Sequence, residues 1–416
     1  MRGVIWLVLL FVVAVVAATT LGSNDGLVSL YWRGWRTDLS LNLFVILVLG
    51  ACAVLMLSVQ ALNALVSLPQ RAGQWRALRR ERAAQSALRE ALAEYFGARY
   101  GRARKAAQRA LALQLDAPEL AGDHQFRLLA QLLAAGSLHK LQDRAGRDTT
   151  LHSAMKSVKT ARGSLGVTDD AARLLAAEWA LDDRDAARAL EMLDALPPGA
   201  ARRTQALRLR LQATRLARQP LEAMHTARLL ANHQAFSPIV AQSLLRSLAS
   251  ETLETAHDVQ QLRRLWGQFD AADRRDPQVA CRAAQRAVAL GASEDARLWL
   301  RPFWDRLSEL PREDREAVSL AMVDAREGIG NEWLPRLESA AQAFGHESAV
   351  VAAVGMCFAE RQLWGKARQL LEQAAASPTL PGRTRRLAWR QLAQVARQES
   401  DEARAAGCER AAAAID

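Results

Sequence analysis

Two long apolar stretches open the chain, and a helical rhythm fills most of the remainder. Residues 4–21 and 39–68 carry no charged side chain. Roughly 20 apolar residues cross a bilayer as a helix, and lipid offers unpaired backbone groups no partner. The pattern therefore predicts two spans, about 4–21 and 39–62. Residues 22–38 form a short loop between them, with Tyr31, Trp32 and Trp35 suited to the headgroup boundary. After Pro69 apolar positions recur with a period near 3.6. Leu78, Leu88, Leu92 and Phe96 mark a helix over 76–96 that stops at Gly97. Ala103, Ala106, Ala107, Ala110 and Leu111 line one side of the next, over 102–115. Residues 119–164 give two more helices, broken around Gly136, the second over 138–165.

The clearest unit is 348–375, two helices with a tight turn at Leu363, Trp364 and Gly365. Small residues stand where the helices must touch (Gly355, Ala367, Ala374) and large ones where they interlock (Phe358, Trp364, Leu371). This is the spacing of a tetratricopeptide repeat (TPR), a helical hairpin of about 34 residues. Ala187, Ala223, Ala296 and Ala403 occupy the position of Ala367 in weaker copies, each just after a turn, and Ala103 takes the tight-contact position of the first hairpin. Hairpins are expected near 170–196, 204–232, 277–306, 348–375 and 384–413, with irregular helical segments at 236–275 and 312–344. Pro197-Pro198-Gly199, Pro238, Pro277, Pro311, Pro378 and Pro381-Gly382 fall between them. One such hairpin cannot bury its apolar face and needs stacked neighbours. The expected fold is all-α: a two-helix transmembrane hairpin (1–70), a basic juxtamembrane helical segment and first hairpin (71–116), then a TPR-like α-solenoid (117–416).

Composition agrees with helices, since strong helix formers dominate and aromatics make up 6%. The net charge of +11 is uneven. Residues 71–116 hold eleven Arg and Lys against four Asp and Glu, so the charge marks a segment beside the membrane and gives no reason to expect nucleic acid. Arg71, Arg76, Arg79, Arg80 and Arg82 outweigh Arg33 and Arg36 across the second span. The positive-inside rule then puts the repeats in the cytoplasm, as in a multi-pass protein of a bacterial inner membrane. Cys52, Cys281, Cys357 and Cys408 lack metal-ligand spacing and suit a reducing compartment.

Catalytic motifs are missing from the sequence. There is no Gly-rich dinucleotide fingerprint, Walker loop, HExxH or GxSxG, and no two histidines lie three or four residues apart. His225 and His233, two helical turns apart, are a faint hint of metal or haem. Acidic pairs such as Asp169-Asp170 sit where helix capping accounts for them. No catalytic residue, metal ligand or cofactor site is expected, and the chain is not expected to be an enzyme.

The N-terminal arrangement resembles the proteobacterial HemY family. The resemblance rests on Gly26, Val28, Trp32, Trp35, Ser40 and Leu41 in the segment before the second span, and on QLWGKARQLLEQA near the C-terminus. It implies an inner-membrane protein linked to a late step of protohaem IX (porphyrin) biosynthesis. The expected role is a non-catalytic scaffold or accessory factor for enzymes such as ferrochelatase or protoporphyrinogen oxidase. A haem- or porphyrin-binding carrier, and a TPR assembly factor for other envelope complexes, are the alternatives.

Overall fold

The computed structural model describes residues 26–117, 122–160 and 166–415, with residues 11, 13 and 120. The chain divides into two compact units, residues 1–164 and 165–416. Apart from Phe11 and Val13, the first expected span lies outside the described residues. Among those residues one helix is long and apolar enough to cross a membrane, Leu41–Leu62, and none of it is buried in protein. The expected pair of spans is thus represented by one.

The segment before that span departs from the all-α expectation. Leu27–Trp32 (β1) and Trp35–Ser40 (β2) form an antiparallel hairpin. The cause is local: both strands carry branched and aromatic residues, and Arg33 (φ 47°) and Gly34 (φ 86°) both adopt positive φ, the backbone of a two-residue hairpin turn. Ser40 closes the hairpin and caps the following helix, its Oγ accepting from the Leu43 amide at 3.4 Å.

That helix, α1 (Leu41–Phe96), runs unbroken for 56 residues, about 84 Å at 1.5 Å per residue. It carries Pro69 without ending and stops at Gly97. Its last turns are at once the first helix of a helical hairpin. Ala84, Ala87 and Ala91 are buried there, and α1 packs against α2 (Tyr100–Leu115), whose Ala103, Ala106, Ala107 and Ala110 are buried in turn. The third helix, α3 (His124–Lys140), packs on α2, and α4 (Arg144–Thr160) on α3. The helix break expected around Gly136 is absent, and Gly136 lies buried inside α3. A Cβ there would come within 3.3 Å of the Tyr95 ring, so glycine admits a close neighbour instead of ending the helix. The break falls at Gln142, where φ is 62°.

In the second unit helices pair as α5 (Gly166–Asp182) with α6 (Ala186–Asp194), and α7 (Thr204–Leu216) with α8 (Pro220–Asn232). Then come α9 (Pro238–Glu254) with α10 (Val259–Gln268), and α11 (Pro277–Ala289) with α12 (Ser293–Trp304). After α13 (Arg312–Asp324) and α14 (Leu334–Ala343), the last pairs are α15 (Ser348–Glu360) with α16 (Trp364–Ala376), and α17 (Gly382–Gln398) with α18 (Glu402–Ala413). From α9 onward the first helix of each pair packs on the first helix of the next, a solenoid-like order. The two segments expected to be irregular therefore continue the series with altered turns.

A single turn recurs in both units. Ala98, Gln142, Arg184, Arg218, Gly291, Gln362 and Ser400 all have positive φ, and each sits two residues past one helix and two before the next. The residue after each donates its amide to a carbonyl five positions back, as in Leu363 to Phe358 at 2.9 Å and Asp401 to Ala396 at 2.9 Å. This Schellman closure satisfies carbonyls that a helix end leaves orphaned. It also moves the expected turn at 363–365: the bend is Arg361-Gln362-Leu363, and Trp364 and Gly365 open the next helix.

The turn fixes which residue meets the neighbouring helix. Five positions after the left-handed residue stand Ala103, Ala189, Ala223, Ala296, Ala367 and Ala405, all buried at 0–1% exposure. Ala103, Ala223, Ala296 and Ala367 are the expected contacts. Ala187 and Ala403 are exposed, and their places are taken by Ala189 and Ala405. The even sequence spacing misled here, because the turns themselves are unevenly spaced. Gly355, Phe358, Leu371 and Ala374 are buried as expected, and Trp364 is half-buried against the same core. A Cβ on Gly355 would lie 3.2 Å from Leu370 and Leu371, so the two helices touch backbone to side chain at that point.

Two outcomes are expected in thermal melts of the protein. Ala367→Trp should lower stability by about 1–3 kcal/mol or more through overpacking, and an unchanged melt would refute the contact. Gln362→Gly should raise it by a few tenths to about 1 kcal/mol, because glycine escapes the left-handed strain at some cost in chain entropy.

Candidate binding groove

The first helices of a stacked array carry an outward face, and in the second unit that face is not uniform along the series. On α7, Ala206, Leu207, Leu209, Leu211, Ala213 and Thr214 are buried. Gln205, Arg208, Gln212 and Arg215 are exposed. Their spacing of three and four residues sets them in one stripe along the helix. Beside this stripe lies α9, preceded by Phe236. Arg208, Leu211, Gln212, Arg215, Leu216, Phe236, Leu244 and Glu251 enclose an open cleft of about 680 Å³. Leu211, Leu216, Phe236 and Leu244 make it apolar. Arg208 and Arg215, two turns apart and so about 10 Å apart along the helix, add positive charge. Glu251 accepts from Ser247 Oγ at 3.2 Å. An acidic amphipathic segment fits this chemistry, since it can set apolar side chains between two guanidinium groups.

The unit singled out by the sequence, 348–375, offers no such face. Every residue from Ala349 to Ala359 of α15 is buried. An all-round apolar helix is a core helix, and α16, α13, α14 and α17 pack around it. Arg383 at the start of α17 reaches Asp324 at the end of α13, Nη2 to Oδ1 3.0 Å, across the intervening hairpin. The best-formed repeat is therefore structural, and the candidate cleft lies nearer the start of the unit, where the sequence pattern is weaker. The signal that could have found it is the Gln205, Arg208, Gln212, Arg215 stripe, which the apolar periodicity passes over.

Arginine and lysine do other work along the array. Arg246 meets Asp276 (2.9 Å), Arg263 meets Asp295 (2.8 Å), Arg315 meets Glu347 (2.7 Å), Arg336 meets Asp305 (2.7 Å), Lys366 meets Glu338 (2.7 Å) and Arg368 meets Glu399 (3.2 Å). Arg404 pairs with Glu372, and Arg228 with Asp273. All but the last join one hairpin to the next; Arg228 of α8 reaches past α9 and α10 to Asp273, just before α11. Arg297 is buried, and donates to the carbonyls of Ala325 (2.7 Å), Glu327 and Gly328 (3.2 Å). It caps the carbonyl end of α13 where the turn is longer than elsewhere. Desolvation pulls its pKa down from the usual arginine value.

In the first unit Arg76, Arg79, Arg80 and Arg82 are exposed on α1 beyond the span. Arg79 lies over the Trp75 ring at 5.2 Å, and Arg80 reaches the Asp116 carbonyl at 3.5 Å. The side chain of Arg71 lies outside the described residues. Arg147 stands where the other turns place alanine. It is buried, with Nη1 3.1 Å from His139 Nδ1 and Nη2 2.9 Å from Asp148.

The tryptophans of the array pack into it: Trp179, Trp299 and Trp304 are buried, and Trp266, Trp364 and Trp389 lie half-buried against the core. Trp266 stacks on Trp299 with ring centroids 4.9 Å apart. His225 is half-buried in α8, and His233 is exposed just past its end. Among the described residues no three His, Cys, Asp or Glu side chains gather as a metal site. Asp169 pairs with Arg173 (3.1 Å), and Asp170 with Arg203 (3.2 Å).

These features define a class: a series of helical hairpins in solenoid-like order, with a groove on one face, carried by a chain whose apolar helix fits membrane anchoring. Residues 26–141 match the family model described as HemY protein N-terminus. The match covers this N-terminal part of the chain, and the HemY N-terminal region it describes supports a link to haem biosynthesis in a broad sense. No curated protein matches the chain. Among solved structures it is similar to a chain in the structure of Naa15/Naa10 bound to HypK-THB, at 12% identity and a TM-score of 0.25. The match covers 76% of this chain and 56% of that one, and so low a score carries no argument.

Cys281 and Cys357 are buried, and burial pushes both thiols up to about 12. A thiol in an unfolded chain ionises near 8.5. The neutral thiols are thus favoured in the folded state, and their contribution is fully present below about pH 8.5. It should be lost as pH rises from there towards about 12. An alkaline titration of the melting temperature should show the fall, and Cys281→Ala with Cys357→Ala should flatten it. Native protein at pH 8 should also resist alkylation at both positions until denatured.

Proposed function

We propose that this protein is a membrane-anchored, non-catalytic scaffold that gathers proteins of a late step of porphyrin synthesis, binding them through the groove between α7 and α9. The observation that carries the reading is the groove itself: an apolar floor under Arg208 and Arg215 on a stacked helical array. Repeat arrays use extended faces of this kind to hold other proteins. The match of residues 26–141 to the HemY N-terminal model supports the pathway, and Leu41–Leu62 supports the location. Ferrochelatase and the preceding protoporphyrinogen oxidase are the partners to look for. Their porphyrin intermediates partition into membranes, which favours gathering the enzymes there. The proposed topology is multi-pass, with the repeats in the cytoplasm and Arg71, Arg76, Arg79, Arg80 and Arg82 holding that orientation.

A photo-crosslinking residue at Gln212, on the groove rim, tests this in intact cells. It should capture a late enzyme of porphyrin synthesis. The double variant Arg208→Glu, Arg215→Glu should reduce capture at least tenfold without moving the melting temperature. Capture of cell-wall or secretion machinery would favour an envelope assembly factor instead. A saturable Soret shift on titrating the solubilised protein with haemin, with no protein captured, would favour a tetrapyrrole carrier.

A further inference from the structure

The hairpin that precedes the span has two unlike faces. Side chains alternate across a strand, and residues paired across an antiparallel ladder share a face. The register pairs Val28 with Leu39, Leu30 with Thr37, and Trp32 with Trp35. These six residues form one face, apolar but for the Thr37 hydroxyl. The other face pairs Leu27 with Ser40, Ser29 with Asp38, and Tyr31 with Arg36. It is knit by polar contacts: Ser29 Oγ donates to Asp38 Oδ1 at 2.5 Å, Arg36 Nε to the same oxygen at 3.1 Å, and the Arg36 guanidinium lies 5.8 Å from the centre of the Tyr31 ring.

The apolar face is open. Trp32 and Trp35 are 79% and 80% exposed, and a lone two-stranded hairpin is marginal in water. Its position says what covers it. No loop separates β2 from the span: Ser40 ends the strand, Leu41 begins the apolar helix, and the Leu41 amide donates back to the Gly26 carbonyl at 2.9 Å. Both open ends of the hairpin are thus held at the edge of the hydrocarbon. Six residues of strand reach about 20 Å, whereas the polar layer on each side of a bilayer is only about 5–8 Å thick. Standing upright, the hairpin would carry its two tryptophans well into water. Lying down, it sets them at the level where tryptophan is enriched.

We propose that the hairpin 27–40 is a lipid-facing paddle, lying on the bilayer surface at the N-terminal end of the span. Val28, Leu30, Trp32, Trp35 and Leu39 face the acyl boundary, and Ser29, Arg36 and Asp38 face water and the headgroups. The paddle fixes the depth and rotation of α1 and so the setting of the first helical hairpin, which shares that helix.

The full-length protein in vesicles of lipid alone tests this, in a Cys52→Ala background. Leu30→Cys and Thr37→Cys should react with a membrane-impermeant maleimide at least tenfold more slowly than their neighbours Ser29→Cys and Tyr31→Cys. Comparing adjacent positions cancels the orientation of insertion. Equal rates at all four, or protection in native membranes that is absent from lipid vesicles, would overturn the paddle, the second result assigning the face to a protein. A measurement that leaves the hairpin sequence intact guards against a misfolded variant. Lipid brominated near the headgroup should quench part of the wild-type tryptophan emission, and Trp32→Phe with Trp35→Phe should remove most of that part. Wild-type emission insensitive to such lipid would equally overturn the proposal.

Discussion

The close approach of two helices five residues after a left-handed turn is the constraint on which the fold depends. At Ala103, Ala189, Ala223, Ala296, Ala367 and Ala405 a small side chain lets the second helix of a hairpin lie against the first. The turn sets this distance by closing the first helix with a hydrogen bond five residues back. Only one of these turns uses glycine, at Gly291; the others hold Ala98, Gln142, Arg184, Arg218, Gln362 and Ser400 in a conformation that costs an ordinary residue about 1–2 kcal/mol. The resulting packing outweighs that cost, since each hairpin then presents an apolar face to its neighbour. Where the turn is longer, after α13, a buried arginine supplies the cap that the backbone does not.

Stacked apolar faces alone would slide, because burial is not directional. The ion pairs that join successive hairpins give direction. Exposed pairs are each worth little, on the order of 0–1 kcal/mol, but Arg315 with Glu347 and Arg246 with Asp276 are partly buried and well aligned. They penalise a slipped register more than they add to stability. This use of arginine reconciles a basic chain with an array whose charges are largely matched, and leaves Arg208 and Arg215 as cations along the groove.

The N-terminal helix couples two solvents in one element. Its first part is apolar on every side, its middle is arginine-rich, and its last turns are alanine-faced and bury a hairpin. A continuous helix transmits position stiffly, so whatever fixes the span in lipid also fixes where the hairpin series starts. The β-hairpin belongs to the same system, since it enters the helix without a linker.

Much of this was written in the sequence. Apolar length announced a span at about 39–62, where the structure has the apolar helix Leu41–Leu62, the 3.6-residue period announced the helices, and prolines marked the gaps between hairpins, because these signals are local. The close contacts at Ala223 and Ala367 were legible for the same reason. Others were not: Ala187 and Ala403 lie two residues from the true contacts, since a left-handed turn built without glycine leaves no mark. Gly136 looked like a break because the sequence does not show Tyr95 pressed against it. The loop before the span looked like coil because its alternating faces are short. The groove was hidden most completely. Arg208 and Arg215 are an ordinary solvated stripe until α9 and Phe236 come alongside, whereas the strongest repeat, 348–375, was legible as a packing unit and is one. The sequence by itself determined which residues form helices, because propensity and period act over a few residues. Tertiary structure decided which faces stay open, because that depends on what packs beside them from far along the chain.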